Sequence, residues 1–93
     1  MEPAKLSDRL SLVFQALTEP TRRDILHFLA RQPRTVGEIQ DYVQRGQSMT
    51  STHLRVLFEA GLVDRASAGR YVSYWLKDKC VLEILLKLEE HLK

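Results

Sequence analysis

Short hydroxyl side chains and one arginine recur at helical spacing in residues 47–61, QSMTSTHLRVLFEAG, the part of the chain best suited to contact with a ligand. Read at helical periodicity, this segment has two opposite faces. The polar face comprises Ser48, Ser51, Thr52, Arg55 and Glu59. The apolar face comprises Thr50, Leu54, Leu57 and Phe58. Hydroxyls and a guanidinium make a poor core but hydrogen-bond well to base edges and phosphates, so the segment predicts a helix that reads duplex DNA.

A short basic β-hairpin is predicted directly after this helix. Residues 62–65 and 70–76 form its strands and residues 66–69 its turn region. Side chains of the second strand alternate, with Val72, Tyr74 and Leu76 facing inward and Tyr71, Ser73 and Trp75 facing outward. Arg65 and Arg70 then flank the tip, where they can reach the DNA backbone or the minor groove. A reading helix followed by such a hairpin is the arrangement of a winged helix-turn-helix.

Three further helices precede the reading helix, and one follows the hairpin. The first spans about residues 3–17. The second opens at Thr18, whose hydroxyl suits an N-cap, with Pro20 in its first turn, and ends near Pro33. The third opens at a capping box, Thr35-x-x-Glu38. The order α-α-α-α-β-β-α predicts a mainly α fold with a small β-hairpin, in one domain over residues 1–93.

The reading helix and the last helix carry their own boundary signals. Ser48 fits the N-cap of the reading helix, and Gly61 fits its end. The last helix is predicted over about residues 79–92 and is more apolar than a surface helix requires. Its first stripe comprises Val81, Ile84, Leu85, Leu88 and Leu92, and its second comprises Leu82 and Leu86. One stripe covers the domain's own core, and the other needs a partner.

Length and composition narrow the class of protein further. A chain of 93 residues buries only roughly 60–65% of its unfolded surface, so association with a second copy would help it. The net charge of +2 is modest, which means that a basic patch must be local. The single cysteine, Cys80, fits a reducing compartment. Residues 1–8 are polar, and the chain lacks an apolar run of ~18 residues, so we expect a cytoplasmic protein without a membrane partner.

Four separated motifs resemble the ArsR/SmtB family of bacterial repressors. Residues 17–26, LTEPTRRDIL, resemble its L-x-[DS]-P-T-R-R-x-I-L signature, and residues 35–39, TVGEI, its third-helix start. Residues 51–57, STHLRVL, with AGLV after them, are similar to its recognition helix, and residues 69–76 to the return strand of its wing. The resemblance implies a symmetric homodimer, paired through the first and last helices, that binds operator DNA and represses transcription. The expected interface residues are Leu6, Leu10, Val13, Val81, Leu85 and Leu88.

The same resemblance assigns DNA contacts to the start of the recognition helix. The positions that match are Gln47, Ser48, Ser51, Thr52 and His53. Gln47 can pair bidentately with adenine, and the hydroxyls can serve bases or phosphates. Arg55 is assigned to phosphate. His53 lies to the side of the polar face, and a bond to the backbone is the alternative for it.

The turn before the recognition helix departs from the family pattern. Gln44 and Arg45 stand where the family usually has glycine and an aliphatic residue. Thr50 replaces a usual valine and places at a core-facing site a hydroxyl that needs a partner. We therefore expect a variant turn or a slightly different helix angle.

Metal binding is not expected, although one candidate site exists. The third-helix segment that often carries a Cys-x-Cys pair in the family contains no cysteine here. Asp78, Cys80 and His91 partly match a last-helix zinc pattern, but Cys80 and His91 lie eleven positions and therefore ~16 Å apart, so only two antiparallel copies could close the site. The simpler interpretation makes Asp78 an N-cap, Cys80 a small buried residue and His91 a favourable charge at the helix end. Similarly, His27 is expected to be structural.

Two classes of function remain after enzymes are set aside. No paired carboxylates, nucleophile–base arrangement or glycine-rich phosphate loop is recognisable, so we expect no enzyme. A winged helix used only for protein contacts is the alternative, favoured by the outward Trp75, because an exposed tryptophan is a common interface anchor. The hydroxyl-rich face with Arg65 and Arg70 favours the DNA-binding repressor.

Overall fold

The computed structural model describes residues 3–93 of the chain, with side chains from residue 5 onward. Met1 and Glu2, which belong to the predicted domain and to its polar N-terminal segment, lie outside the described residues. The elements are α1 (Pro3–Leu17), α2 (Pro20–Leu29), β1 (Arg34–Thr35), α3 (Val36–Val43), α4 (Gln47–Glu59), β2 (Val63–Ala68), β3 (Tyr71–Leu76) and α5 (Cys80–His91). This order confirms the predicted fold class and adds one strand.

The added strand, β1, makes the sheet three-stranded and antiparallel, in the order β1-β3-β2. Arg34 of β1 and Arg65 of β2 both pair with Tyr74 of the central strand. The prediction of a turn at residues 66–69 was wrong, because β2 continues to Ala68, which pairs with Tyr71. Gly69 and Arg70 therefore make a two-residue turn, and Gly69 adopts the left-handed φ of 62° that such turns require.

The starts of α2 and α3 compare differently with their predicted caps. Thr18 does not cap α2, because its hydroxyl donates to the carbonyl of Gln15 at 2.7 Å and so belongs to the end of α1. The N-cap is Glu19, whose carboxylate accepts from the amide of Thr21. The predicted capping box of α3 is confirmed in both directions, with the Glu38 amide 3.1 Å from Thr35 Oγ1 and the Thr35 amide 2.8 Å from Glu38 Oε1.

The core lies where α2, α3 and α4 meet the sheet and α5. Its buried apolar residues are Ala16, Ile25, Leu26, Leu29, Ile39, Leu54, Leu57, Leu62, Val63, Tyr74, Leu82 and Leu85. Leu54 and Leu57 bring the inward face of α4 into this core, as its periodicity predicts. The recognition helix is therefore held along its full inner side while its outer side stays in solvent.

The last helix divides its apolar residues differently from the prediction. Leu82 and Leu85 are buried in the core, and Val81 is half-buried. Leu85 was therefore wrongly assigned to the surface that faces a second copy. Ile84, Leu86, Leu88 and Leu92 are exposed instead.

The first helix also leaves an apolar face uncovered. Leu6, Leu10 and Phe14 are exposed at spacings of four residues, whereas Val13 and Leu17 are half-buried against the core. Both α1 and α5 thus present apolar surface that one protomer does not cover. None of the helices described over residues 3–93 is long and apolar enough to cross a membrane.

Candidate nucleic-acid interface

The recognition helix, α4, begins one residue earlier than its predicted cap. Its N-cap is Gly46, and Ser48 lies inside the first turn, so the prediction of Ser48 as N-cap was wrong. This places Ser48 on the outer surface of the helix. The other end is a Schellman motif, in which the amide of Leu62 donates to the carbonyl of Leu57 and the amide of Gly61 to that of Phe58. Gly61 has the left-handed φ of 78° that this motif needs.

The outer face of α4 is exposed at every predicted polar position. The exposed side chains are Gln47, Ser48, Ser51, Thr52, Arg55 and Glu59. The Thr52 hydroxyl donates to the carbonyl of Ser48 at 3.0 Å, so its oxygen presents lone pairs outward as a hydrogen-bond acceptor. Arg55 lies 3.6 Å from Glu59 in an exposed pair, which contributes little and leaves Arg55 able to turn toward a phosphate.

His53 is a correction to the predicted contact set. Its side chain is only 5% exposed, and its Nδ1 lies 3.2 Å from Nη1 of Arg22, so it points into the protein rather than outward with the polar face of α4. The alternative prediction, a hydrogen bond from His53 to the backbone, was also wrong, because the partner is the side chain of Arg22. Burial, followed by the charge of Arg22, lowers the pKa of His53 below its ordinary value.

The two predicted wing arginines occupy different places. Arg65 lies opposite Tyr74, well below the tip, so its predicted position beside the tip was wrong. Its guanidinium stacks over Phe58 of α4 at 4.2 Å from the ring centre, and its Nη1 donates to the Tyr74 hydroxyl at 3.3 Å. Arg70 lies in the turn itself and is exposed. The shift follows from the two-residue turn, which moves the tip toward Gly69.

A concave groove of about 740 Å³ separates the recognition helix from the wing. Gln47 and Ser51 line one wall, and Arg65, Arg70 and Tyr71 line the other. The predicted contacts are thus divided between this groove and the crest of α4, the part of its outer face that carries Ser48, Thr52 and Arg55. Tyr71, 62% exposed at the wing tip, was missed as a site residue, although its outward position in the strand was predicted.

The turn before α4 accommodates both departures from the family pattern, at Gln44 and at Thr50. Gln44 adopts a left-handed φ of 56°, at the position where the family usually has glycine. The buried Thr50 hydroxyl donates to the carbonyl of Arg45 at 3.5 Å, a long bond that gives the hydroxyl its partner. The turn is therefore a variant that keeps the recognition helix packed.

The three candidate metal ligands do not share a site in one protomer: Asp78 accepts a backbone hydrogen bond, and Cys80 and His91 are exposed. The Asp78 carboxylate accepts from the amide of Cys80 at 2.8 Å, which makes it a helix-start acceptor, although Lys79 occupies the N-cap position. Cys80 is exposed, so its predicted burial was wrong. Within residues 5–93, no group of three or more histidine, cysteine or carboxylate side chains is arranged to hold a metal. The described residues of one protomer therefore bring no such set of ligands together.

His27 is structural, as predicted. Its Nε2 lies 3.0 Å from Glu89 of α5, and this contact ties the last helix to α2.

The sequence that builds this site matches a known family of regulators. The sequence profile of the bacterial regulatory protein, arsR family, matches residues 19–65, about half of the chain, from the start of α2 into the wing. The chain belongs to the ArsR family. The matched span contains α3, the variant turn and all of α4, and with α4 it includes the hydroxyl-rich face.

Relatives and solved structures agree with this membership. The HTH-type transcriptional repressor SmtB of Mycobacterium tuberculosis is 33% identical over 89 residues, 96% of this ArsR chain and 66% of that protein. A possible transcriptional regulatory protein from Mycobacterium bovis (fragment 1–100) is 26% identical, with a TM-score of 0.88 and 95% of each chain covered. The homodimeric winged helix-turn-helix DNA-binding domain of a possible ArsR-family regulator from the same organism is 28% identical, with a TM-score of 0.86, covering 96% of this chain and 86% of that one. This chain spans about two thirds of the length of the SmtB relative.

Proposed function

We propose that this protein is a homodimeric, sequence-specific DNA-binding repressor of transcription. The observation that carries the proposal is the outer face of α4, where hydroxyls, an amide and Arg55 are exposed beside a groove whose far wall holds Arg70 and Tyr71. Side chains on the crest of such a helix reach base edges in the major groove, while a cation at a wing tip reaches phosphate or the minor groove. The SmtB relative is a transcriptional repressor, which favours repression as the outcome.

The proposed dimer pairs α1 and α5 with their copies in a second protomer. Leu6, Leu10 and Phe14 on α1 and Ile84 and Leu88 on α5 are large, exposed and apolar. Several large apolar side chains exposed together on one helix are typical of an interface. The M. bovis domain described above is homodimeric, which supports the same assembly here. A twofold axis would place two recognition helices in successive major grooves, about 10 bp (~34 Å) apart or slightly more.

We further propose that the protein binds DNA without a metal cofactor, catalyses no reaction and acts in the cytoplasm. The third-helix segment offers no thiolate, and Asp78 already accepts a backbone hydrogen bond. Membership of a regulator family favours a binding protein over an enzyme. Zinc or another divalent metal at Asp78, Cys80 and His91 is the alternative, and it requires ligands from both protomers.

The protein-interaction module is the second candidate. Trp75, its best support from the sequence, is half-buried and pairs with Asp64 in the sheet, so it presents less apolar surface than an exposed anchor would. Most of the exposed large apolar residues lie on or next to α1 and α5, outside the groove, whereas Tyr42, Met49 and Tyr71 lie elsewhere and Tyr71 lines the groove.

The experiment is a titration of a mixed-sequence duplex by fluorescence anisotropy at several salt concentrations, with and without added zinc. Phosphate contacts release counterions, so we expect log K to fall linearly with log salt concentration, with a slope of about −0.9 for each phosphate contacted. Affinity that changes on addition of zinc would contradict the metal-free part of the proposal. Absence of salt-sensitive binding to any duplex would favour the protein-interaction module.

A further inference from the structure

Arg22 joins three parts of the fold that are separate in the sequence. Its Nε donates to the carbonyl of Ala16 at 2.8 Å, and its Nη2 donates to that of Gln15 at 2.9 Å. These carbonyls belong to the last turn of α1, where the carbonyl of Gln15 also accepts from the amide and the hydroxyl of Thr18. The third nitrogen, Nη1, lies 3.2 Å from Nδ1 of His53 on α4. One guanidinium thus fastens the end of α1 to the middle of the recognition helix.

This contact fixes the protonation state of His53. A guanidinium only donates hydrogen bonds, so Nδ1 must be the acceptor, and the proton of a neutral imidazole must lie on Nε2. Protonation of Nδ1 would set two donors and two positive charges against each other at a site that is only 5% exposed. The contact therefore exists only with a neutral ring.

The charged groups around the ring reinforce this state. Arg22 on α2 and Arg45 in the turn before α4 oppose protonation, whereas Glu19 at the start of α2 favours it. Burial opposes it most strongly. The ring is thus held neutral near pH 7 and becomes charged only in more acidic solution.

We propose that the Arg22–His53 contact is a positioning strut, which sets the recognition helix against α1 and makes sequence-specific DNA binding weaken on acidification. The inference rests on the proposed function, because it concerns the angle at which α4 meets DNA. Neither residue touches the duplex. Arg22 and His53 act through the crest residues, such as Ser48 and Thr52, whose placement depends on the orientation of α4.

The sign of the effect separates this strut from ordinary electrostatics. Protonation of any histidine adds positive charge to the protein, and by itself that strengthens binding to a polyanion. The strut predicts the opposite, since DNA binding that requires neutral His53 loses up to about tenfold in affinity for each pH unit below the ring's pKa in the free protein.

The test measures specific and nonspecific affinities of the full chain between about pH 7.5 and about pH 5, a range that includes histidine titration. Circular dichroism and sedimentation at each pH verify the fold and the assembly. The key variant is His53→Asn, whose amide oxygen accepts from Arg22 and does not titrate. The matched control is His27→Gln, which removes a titrating histidine that contacts Glu89 rather than Arg22.

Wild-type protein and His27→Gln should lose specific affinity on acidification, whereas His53→Asn should keep the neutral-pH affinity throughout. A parallel loss in wild type and His53→Asn, or a wild type without any loss, would overturn the strut. Absence of sequence preference at neutral pH would instead refute the proposed function. If His53→Asn fails to fold, an NMR titration of the wild-type ring decides. The strut requires the pKa of His53 to fall further on DNA binding, and an unchanged pKa would overturn it.

Discussion

The guanidinium of Arg65 lies 4.2 Å from the ring centre of Phe58, and its Nη1 donates to the hydroxyl of Tyr74. Phe58 belongs to the recognition helix, whereas Arg65 and Tyr74 belong to the two long strands of the wing. A cation over an aromatic face is attracted by the ring quadrupole, and the hydrogen bond fixes its direction. These contacts therefore connect the wing directly to the recognition helix.

The two tyrosines of strand β3 should separate stability from binding. Tyr74→Phe removes the acceptor for Arg65 at a site that is 6% exposed, so the free energy of unfolding should fall by about 0.5–1.5 kcal/mol. Tyr71→Phe, at an exposed position on the groove wall, should leave stability unchanged and weaken DNA binding. Urea denaturation and anisotropy titrations measure the two effects. Wild-type affinity in Tyr71→Phe would show that the Tyr71 hydroxyl does not contact DNA.

Arg70 should contribute affinity without sequence preference. It lies exposed in the turn of the wing, so Arg70→Ala should weaken binding to all duplexes alike and reduce the slope of log K against log salt concentration by about 0.9. Lys87→Ala removes the same charge from α5, outside the groove, and is the matched control. Equal slopes for Arg70→Ala and wild type would place the wing tip away from phosphate.

Gln47 and Ser51 should determine which bases are preferred. Both line the groove at the start of the recognition helix, where a bidentate amide or a hydroxyl discriminates by about 1–3 kcal/mol per base pair. Alanine at either position should change the preferred bases in a competition assay with single-base variants of the site. Unchanged preference in both variants would show that another part of α4 meets the bases.

Leu85 and Leu88 should differ sharply, although both were assigned to the dimer surface from the sequence. Leu88→Glu alters an exposed residue and should yield folded monomers that no longer hold a palindromic site. Leu85→Ala empties part of the core and should cost about 2–5 kcal/mol of stability. Sedimentation and thermal denaturation distinguish these outcomes. If Leu88→Glu remained dimeric, α5 would not form the interface.

The stability of the protein should fall in acid through His53. The pKa of this ring is lowered in the folded state, so the unfolded chain binds the proton more readily. The stabilisation is present above the unfolded value of about 6.5 and is lost as pH falls below it, toward the lower folded pKa. Urea midpoints at several pH values should show a smaller decline for His53→Asn than for wild type. Equal declines would assign the acid sensitivity to other groups.

Periodicity and capping signals were enough to predict most of the fold. The inner and outer faces of α4 were predicted because Leu54 and Leu57 repeat at helical spacing. The capping box of α3 was predicted because Thr35 and Glu38 satisfy two helix-start amides reciprocally. Both signals depend only on residues that are close in the sequence, so they can be recognised from the sequence alone.

The errors arose where tertiary contacts decide between local alternatives. Strand β1 is only two residues long and exists because it pairs with β3. In the apolar run of α5, the sequence does not distinguish Ile84 from Leu85, and only packing into the core buries Leu85. The inward orientation of His53 could not be predicted, because its partner, Arg22, is distant in the sequence.

Selection of binding sites from a random duplex library would show whether the protein reads DNA sequence as a dimer. We expect enrichment of one twofold-symmetric motif, with half-sites about 10 bp apart or slightly more, bound by two protomers. Enrichment of no motif, from a folded protein that also lacks salt-sensitive binding to any duplex, would contradict this expectation.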